Sequence, residues 1–445
     1  MINTIRKLYG YKFPLQRKEI EHLAYKKLES NCGLHRHCIF YLVFLLFILF
    51  LFMDKYIPMQ DYPDWLYQGY IFKSKILMTE IGIHYSWNNY LSPNIGSTFI
   101  IGSLALILPV IIAGKLFLII LLMILFAGIR NYLLYYSNMS NLIASAIAFI
   151  FEFNYSFWHG NVSFLLGVGV GLFLAVIVIQ KNYLALSPWL VALFAFFTYC
   201  SHMFGFILFI LIIFGQYLFS SNKRLLIRFV LLILPCIIIC LHYTYNAPFI
   251  PPGKAEYGEW FSAMHDRLMV LLRYMVFFPQ FNFLKIPLFL LYPLNILTIV
   301  LLLSPSVFIY RYPKFKINKS VLFSLICTLC IFVLFPLEYG GVKGFPERVL
   351  LFTFIAGLAL IWARSLKKHG IIYAKLLILL GICIYVVGIL TIHNFNYALV
   401  EGADIPNKRL SHLQLHDPYY RLSYYKAIKE DTPMPIFETG LFRRQ

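Results

Sequence analysis

The sequence predicts an all-α polytopic membrane protein, and three observations predict it. Of the 445 residues, 60% are apolar and only 13% charged, far from the balance of a soluble domain. The apolar residues fall in continuous runs through most of the chain, the signature of helices that cross a bilayer. Those runs lack the period-two alternation of a β-barrel strand. The expectation is about 11–13 transmembrane helices with a long amphipathic first outer loop.

The formal net charge of +19 would point to nucleic acid in a soluble protein. Here the cations cluster in short connectors, so positive-inside topology and anionic membrane lipid account for most of the excess, and no nucleic-acid partner is expected. The cysteines give no disulfide framework. Cys200, Cys236, Cys240, Cys327, Cys330 and Cys383 lie in or beside apolar runs, where the thiol behaves as a small hydrophobe. Cys32, His35, His37 and Cys38 are of Zn²⁺-ligating types, but no second pair accompanies them.

Residues 1–37 form a basic leader that places the N-terminus in the cytoplasm. No cleavable signal is expected, because this stretch is charged and the first apolar run lacks a small-residue cleavage site. Residues 38–391 are expected to form the transmembrane domain, with outer loops at 54–94 and 242–285, and 392–445 an extracytoplasmic tail. Trp65, Tyr67, Tyr70, Trp87 and Tyr90 supply aromatic anchors in the first loop. The run 95–129 is too long for one helix and short for two, so it reads as an interfacial piece plus a span. Further spans are expected at 141–158, 163–180, 185–200, 203–220, 225–241, 286–304, 320–336, 347–363 and 371–391. The basic connectors Lys223-Arg224, Arg311 to Lys319 and Arg364 to Lys368 belong in the cytoplasm. On that alternation the polar and unusual residues gather on the outer face.

The candidate site begins in Pro58-Met59-Gln60-Asp61-Tyr62-Pro63-Asp64-Trp65. Proline fixes φ and restricts the residue before it, so Asp61 and Asp64 are presented on a stiff turn beside the membrane. Ionisable groups so near hydrocarbon suggest function, although an ordinary solvated proline turn has the same composition. The two carboxylates suit a general base for an acceptor hydroxyl, ligands for a divalent cation (Mg²⁺ or Mn²⁺), or both; Asp61 is the choice for the base. The segment Glu338 to Arg348 is the second feature: Lys343 and Arg348 suit a phosphate, and paired or snorkelling side chains are the plainer alternative. His202 either bonds substrate or caps a helix. His159, with Trp158, fits a sugar platform or an interfacial anchor. Glu338 and Trp65 complete the set of candidate substrate-binding residues.

The acidic turn after the first span, the amphipathic loop and the run Phe153 to Phe164 together resemble the GT-C superfamily of integral membrane glycosyltransferases. Bacterial members carry a Pro-x-x-Asp-x-Pro-x-His-like turn here; this chain reads Pro58-Met59-Gln60-Asp61-Tyr62-Pro63-Asp64-Trp65, with Trp65 in place of the His. The resemblance implies an outward-facing cavity in a bacterial plasma membrane and a polyprenyl-phosphate sugar donor. It also implies inverting transfer to a lipid-linked glycan or a secreted protein, with Asp61 as base or metal-ordering carboxylate. A polysaccharide polymerase or ligase, or a lipid-linked-sugar flippase, are the competing expectations.

Overall fold

The computed structural model describes residues 61–137, 139–246, 288–304, 318–334, 338–339, 342–343, 345–361, 370–401, 418–434 and 442–444, with 45, 48, 49, 51–53, 57 and 59. The chain divides into two compact units, Met1–Phe50 and Leu51–Gln445. In the first unit the described residues Leu45, Ile48 and Leu49 are helical. The whole leader 1–37, the Cys32–Cys38 set and residues 247–285 of the loop expected at 242–285 lie outside the described residues.

The second unit is mostly helical. Its first loop carries α1 (Tyr62–Ile76), α2 (Glu80–Ile83) and β1 (Tyr85–Trp87). The ambiguous run that follows resolves into α3 (Ile95–Ala105) and α4 (Val110–Tyr136), separated at Pro109, whose fixed φ and missing N–H suit a break. Next come α5 (Asn141–Glu152), the one-turn α6 (Tyr155–Trp158), α7 (Val162–Gln180), the one-turn α8 (Tyr183–Leu186), α9 (Pro188–Ser201), α10 (Met203–Leu218) and α11 (Lys223–Asn246). Then follow α12 (Leu288–Leu303), α13 (Lys319–Leu334), the strands β2 (Glu338–Tyr339) and β3 (Val342–Lys343), α14 (Phe345–Ile361), α15 (Gly370–Glu401), α16 (Pro418–Glu430) and β4 (Phe442–Arg444). Among the described residues, Val110–Tyr136, Val162–Gln180, Lys223–Asn246 and Tyr373–Leu390 are long and apolar enough to cross a membrane.

The helix α7 is the centre of the bundle. It packs along α4 on one side and α10 on the other, and 72% of its apolar window is buried against 17% for α11. The outer character of α11 is legible in its exposed residues: Ile227, Leu231, Leu234, Ile238 and Leu241 recur every three or four positions and form one apolar stripe for lipid. In hydrocarbon there is little hydrophobic gain between helices, so close approach of backbones must supply the cohesion. At the α7–α10 crossing a Cβ on Gly205 would lie 2.6 Å from the Gly167 Cα, so glycine alone lets the two helices meet.

The C-terminal segment returns to the first loop. Strand β4 pairs antiparallel with β1, with Tyr85 opposite Arg444 and Trp87 opposite Phe442. Tyr67, Ile71, Phe72, Ile81, Tyr85, Tyr424, Ala427 and Phe442 form a buried cluster there. Two tyrosine hydroxyls fasten the backbone: Tyr67 Oη donates to the Thr432 carbonyl at 2.7 Å, and Tyr85 Oη to that of Met434 at 2.6 Å. Each such bond is worth on the order of 1 kcal/mol net.

We expect Gly205→Ala to force α7 and α10 apart and cost roughly 1–3 kcal/mol, read as a lower unfolding temperature of the solubilised protein. Leu234→Ala, on the lipid stripe, should change it little.

Candidate functional site

The site is built on the turn that opens α1. Asp61 is the N-cap residue, Pro63 falls in the first turn where its missing N–H costs nothing, and Asp64 complements the helix dipole. The Asp61 carboxylate does not cap the helix. Instead the Asp61 N–H donates to the His159 carbonyl at 3.1 Å. Asp61 is half-buried, whereas Tyr62 through Gly69 are all buried.

That carbonyl comes from the interruption between α5 and α7. The expected span 141–158 stops at Glu152 because Asn154 redirects the backbone: its Nδ2 donates to the Phe151 carbonyl at 2.8 Å, and its Oδ1 accepts the Phe157 N–H at 3.1 Å. Gly160 then adopts φ +82, and an added Cβ there would stand 2.6 Å from the Tyr62 nitrogen. Glycine is required twice over, by its dihedral and by the backbone it touches. The Asp61 turn and the Trp158-His159-Gly160-Asn161 run, far apart in sequence, are thus in contact.

Asn161 extends the site to α14, accepting from Arg348 Nη2 at 3.3 Å. Arg348 in turn neighbours His202, whose pKa is pushed down chiefly by burial and next by the Arg348 charge. His202 is the single extended residue between α9 and α10, and it caps α10: its Nδ1 accepts the Phe204 N–H at 3.0 Å. A neutral ring accepting at Nδ1 carries its proton on Nε2, so it retains one donor. Ser163 Oγ donates to the Ser201 carbonyl at 2.9 Å, which fixes this corner against α7. Asp61, Asn161, Arg348 and His202 therefore form one connected group at one end of the bundle.

The other predicted residues are placed differently. Asp64 is 3% exposed and accepts from Gln68 Nε2 at 2.7 Å, while Gln68 Oε1 accepts from Thr98 Oγ1 at 3.2 Å. It therefore belongs to a buried polar chain that ties α1 to α3. Trp65 is also buried, at 8%. Glu338 and Lys343 face each other in the register of the β2–β3 ladder, just before α14. Among the described residues no set of three or more His, Cys, Asp or Glu gathers as a metal site. The buried carboxyl Glu152, which accepts from the Tyr385 hydroxyl, escaped the sequence reading; a lone acid ending an apolar run was its signal. Asn161 also escaped a role, since an isolated asparagine at a helix start reads as a cap.

No known protein family, characterised protein or solved structure matches this chain.

Gly160→Ala should destabilise the protein by about 1–3 kcal/mol and loosen the Asp61 turn, measurable as faster amide exchange at residues 61–65. Because folding lowers the His202 pKa, its contribution to stability is complete above the unfolded value near 6.5 and is lost as pH falls below it. His202→Gln should remove that part of the fall in unfolding temperature between about pH 7 and 5.

Proposed function

We propose that this protein is a GT-C-like membrane glycosyltransferase that moves a sugar from a polyprenyl-phosphate donor to a cell-surface glycan or secreted protein. In this reading the bundle lies in a bacterial plasma membrane with its N-terminus cytoplasmic, about 11–13 crossings, and the site facing outward. The observation that carries it is that the turn of half-buried Asp61 is bonded through its backbone N–H to His159, two residues before the Asn161 that accepts from Arg348 beside His202, all at one end of apolar helices. A carboxylate base and a separate group of phosphate-directed donors are the two things that direct transfer needs.

The chemistry follows from those roles. An acceptor hydroxyl attacks the anomeric carbon while Asp61 takes its proton. The bond from that carbon to the phosphate oxygen breaks on the opposite face, with inversion, and polyprenyl phosphate leaves with the electron pair. Arg348, with the Nε2–H of His202 and Lys343 of the β2–β3 ladder, stabilises the charge gathering on the leaving phosphate, where electrostatic help acts most strongly. His159 borders the sugar. Asp64 supports α1 from within, and Trp65 fills space beside it. Asp64 accepts from Gln68 and no third His, Cys, Asp or Glu joins the aspartates among the described residues, so no step is routed through Mg²⁺ or Mn²⁺.

The test is a transfer assay with purified protein and a panel of polyprenyl-phosphate sugars. Asp61→Asn should lower turnover by about 10²–10⁴-fold with membrane insertion intact, and normal turnover would remove Asp61 as base. Arg348→Ala should lower efficiency for the donor by about 10–100-fold and leave the acceptor KM unchanged. Asp64→Asn should act mainly on unfolding temperature. Tight binding of a lipid-linked oligosaccharide with no turnover on any donor would favour a polymerase or flippase instead.

A further inference from the structure

The end of the bundle opposite Asp61 is built differently, and the transfer reading leaves it unused. The helix α7 ends at Gln180, and Asn182 follows with a left-handed φ of +48. The chain then makes the one-turn α8 and re-enters the bundle at Pro188. This elbow exposes two large apolar side chains, Leu186 at 74% and Trp189 at 64%. Arg228 of α11 donates to the Ala185 carbonyl at 3.4 Å, so its charge is drawn against the elbow. Lys181, Lys223 and Arg224 are exposed at the same end, as is Lys319, whose neighbour Ser320 approaches Gly215 of α10. No Asp or Glu occurs from Phe153 to Ala255 or from Lys319 to Leu334, so none of these elements supplies a counter-charge of its own.

A cationic patch beside an exposed Trp and Leu, where two membrane-length helices end, matches the two halves of a lipid boundary. The cations suit phosphate headgroups, and the indole and leucine suit the layer just beneath. A water-borne polyanion would satisfy the charges but leave Leu186 and Trp189 exposed. We propose that the elbow of residues 181–189, with Lys223, Arg224 and Arg228, is a binding site for anionic phospholipid headgroups. The assignment does not depend on the transferase reading.

The test purifies the full chain in mild detergent with an equimolar mixture of phosphatidylglycerol and phosphatidylcholine and quantifies the retained lipids. Wild-type protein should retain phosphatidylglycerol selectively. The Lys181→Gln/Arg228→Gln double variant should lose about tenfold or more of that selectivity, at about fivefold per cation. Trp189→Ala should lower retention of both lipids and keep the ratio. Lys426→Gln, on α16, should change nothing. Wild-type protein at about 1 M salt, where the screening length is about 3 Å, should also lose selectivity, so the proposal stays testable if the double variant fails to fold. Equal retention of the two lipids by wild type, or selectivity surviving in high salt or in a folded double variant, would overturn it.

Discussion

The structure of the candidate site depends on one backbone contact, in which the His159 carbonyl accepts the Asp61 N–H and Gly160 lies flat against the peptide that follows. A buried amide without a partner would cost more than its bond contributes, so the contact is decisive for where the turn rests. Any side chain at position 160 would occupy the space of the Tyr62 nitrogen. Through this contact the opening of α1 takes its position from α7, and because Asn161 follows directly, it is also set relative to Arg348.

The helix α1 is held on its far side as well. The hydroxyls of Tyr67 and Tyr85 accept the Met434 N–H at 3.1 and 2.9 Å, in addition to their bonds to the Thr432 and Met434 carbonyls. Tyr70 donates to Asp431. A carboxylate on a loop would ordinarily be less precisely held than one on a bundle helix. Here the loop lies between the bundle and the returning C-terminal segment, so Asp61 stands on a supported element.

The two ends of the bundle carry different sets of polar residues. One end gathers Asp61, Asn161, Arg348 and His202; the other exposes Lys181, Lys223, Arg224, Arg228 and Lys319. The first group is partly or wholly buried and engaged with other protein atoms, as suits groups preorganised for a ligand. The second is exposed beside apolar side chains, as suits contact with a lipid surface. Burial, more than charge, separates the two roles.

Composition and run length by themselves determined a mostly helical chain with helices apolar enough to cross a membrane, because long apolar runs without alternation carry that signature. The alternation of basic connectors also predicted that the Asp61 turn, His159, His202 and Arg348 share one end, since each hydrophobic crossing reverses the chain. The break at Pro109 was announced by the length of its run. What only the tertiary structure decided was which polar groups of the motif remain near the surface. Asp61 and Asp64 are three residues apart and chemically alike, yet one is half-buried and the other lies inside with Gln68 and Thr98. Their fates differ because α1 packs against α3, and nothing local to residues 58–65 records which face of the helix that neighbour will cover. The same reason hid the burial of Trp65 and the role of Gly160, whose partner lies about a hundred residues away along the chain.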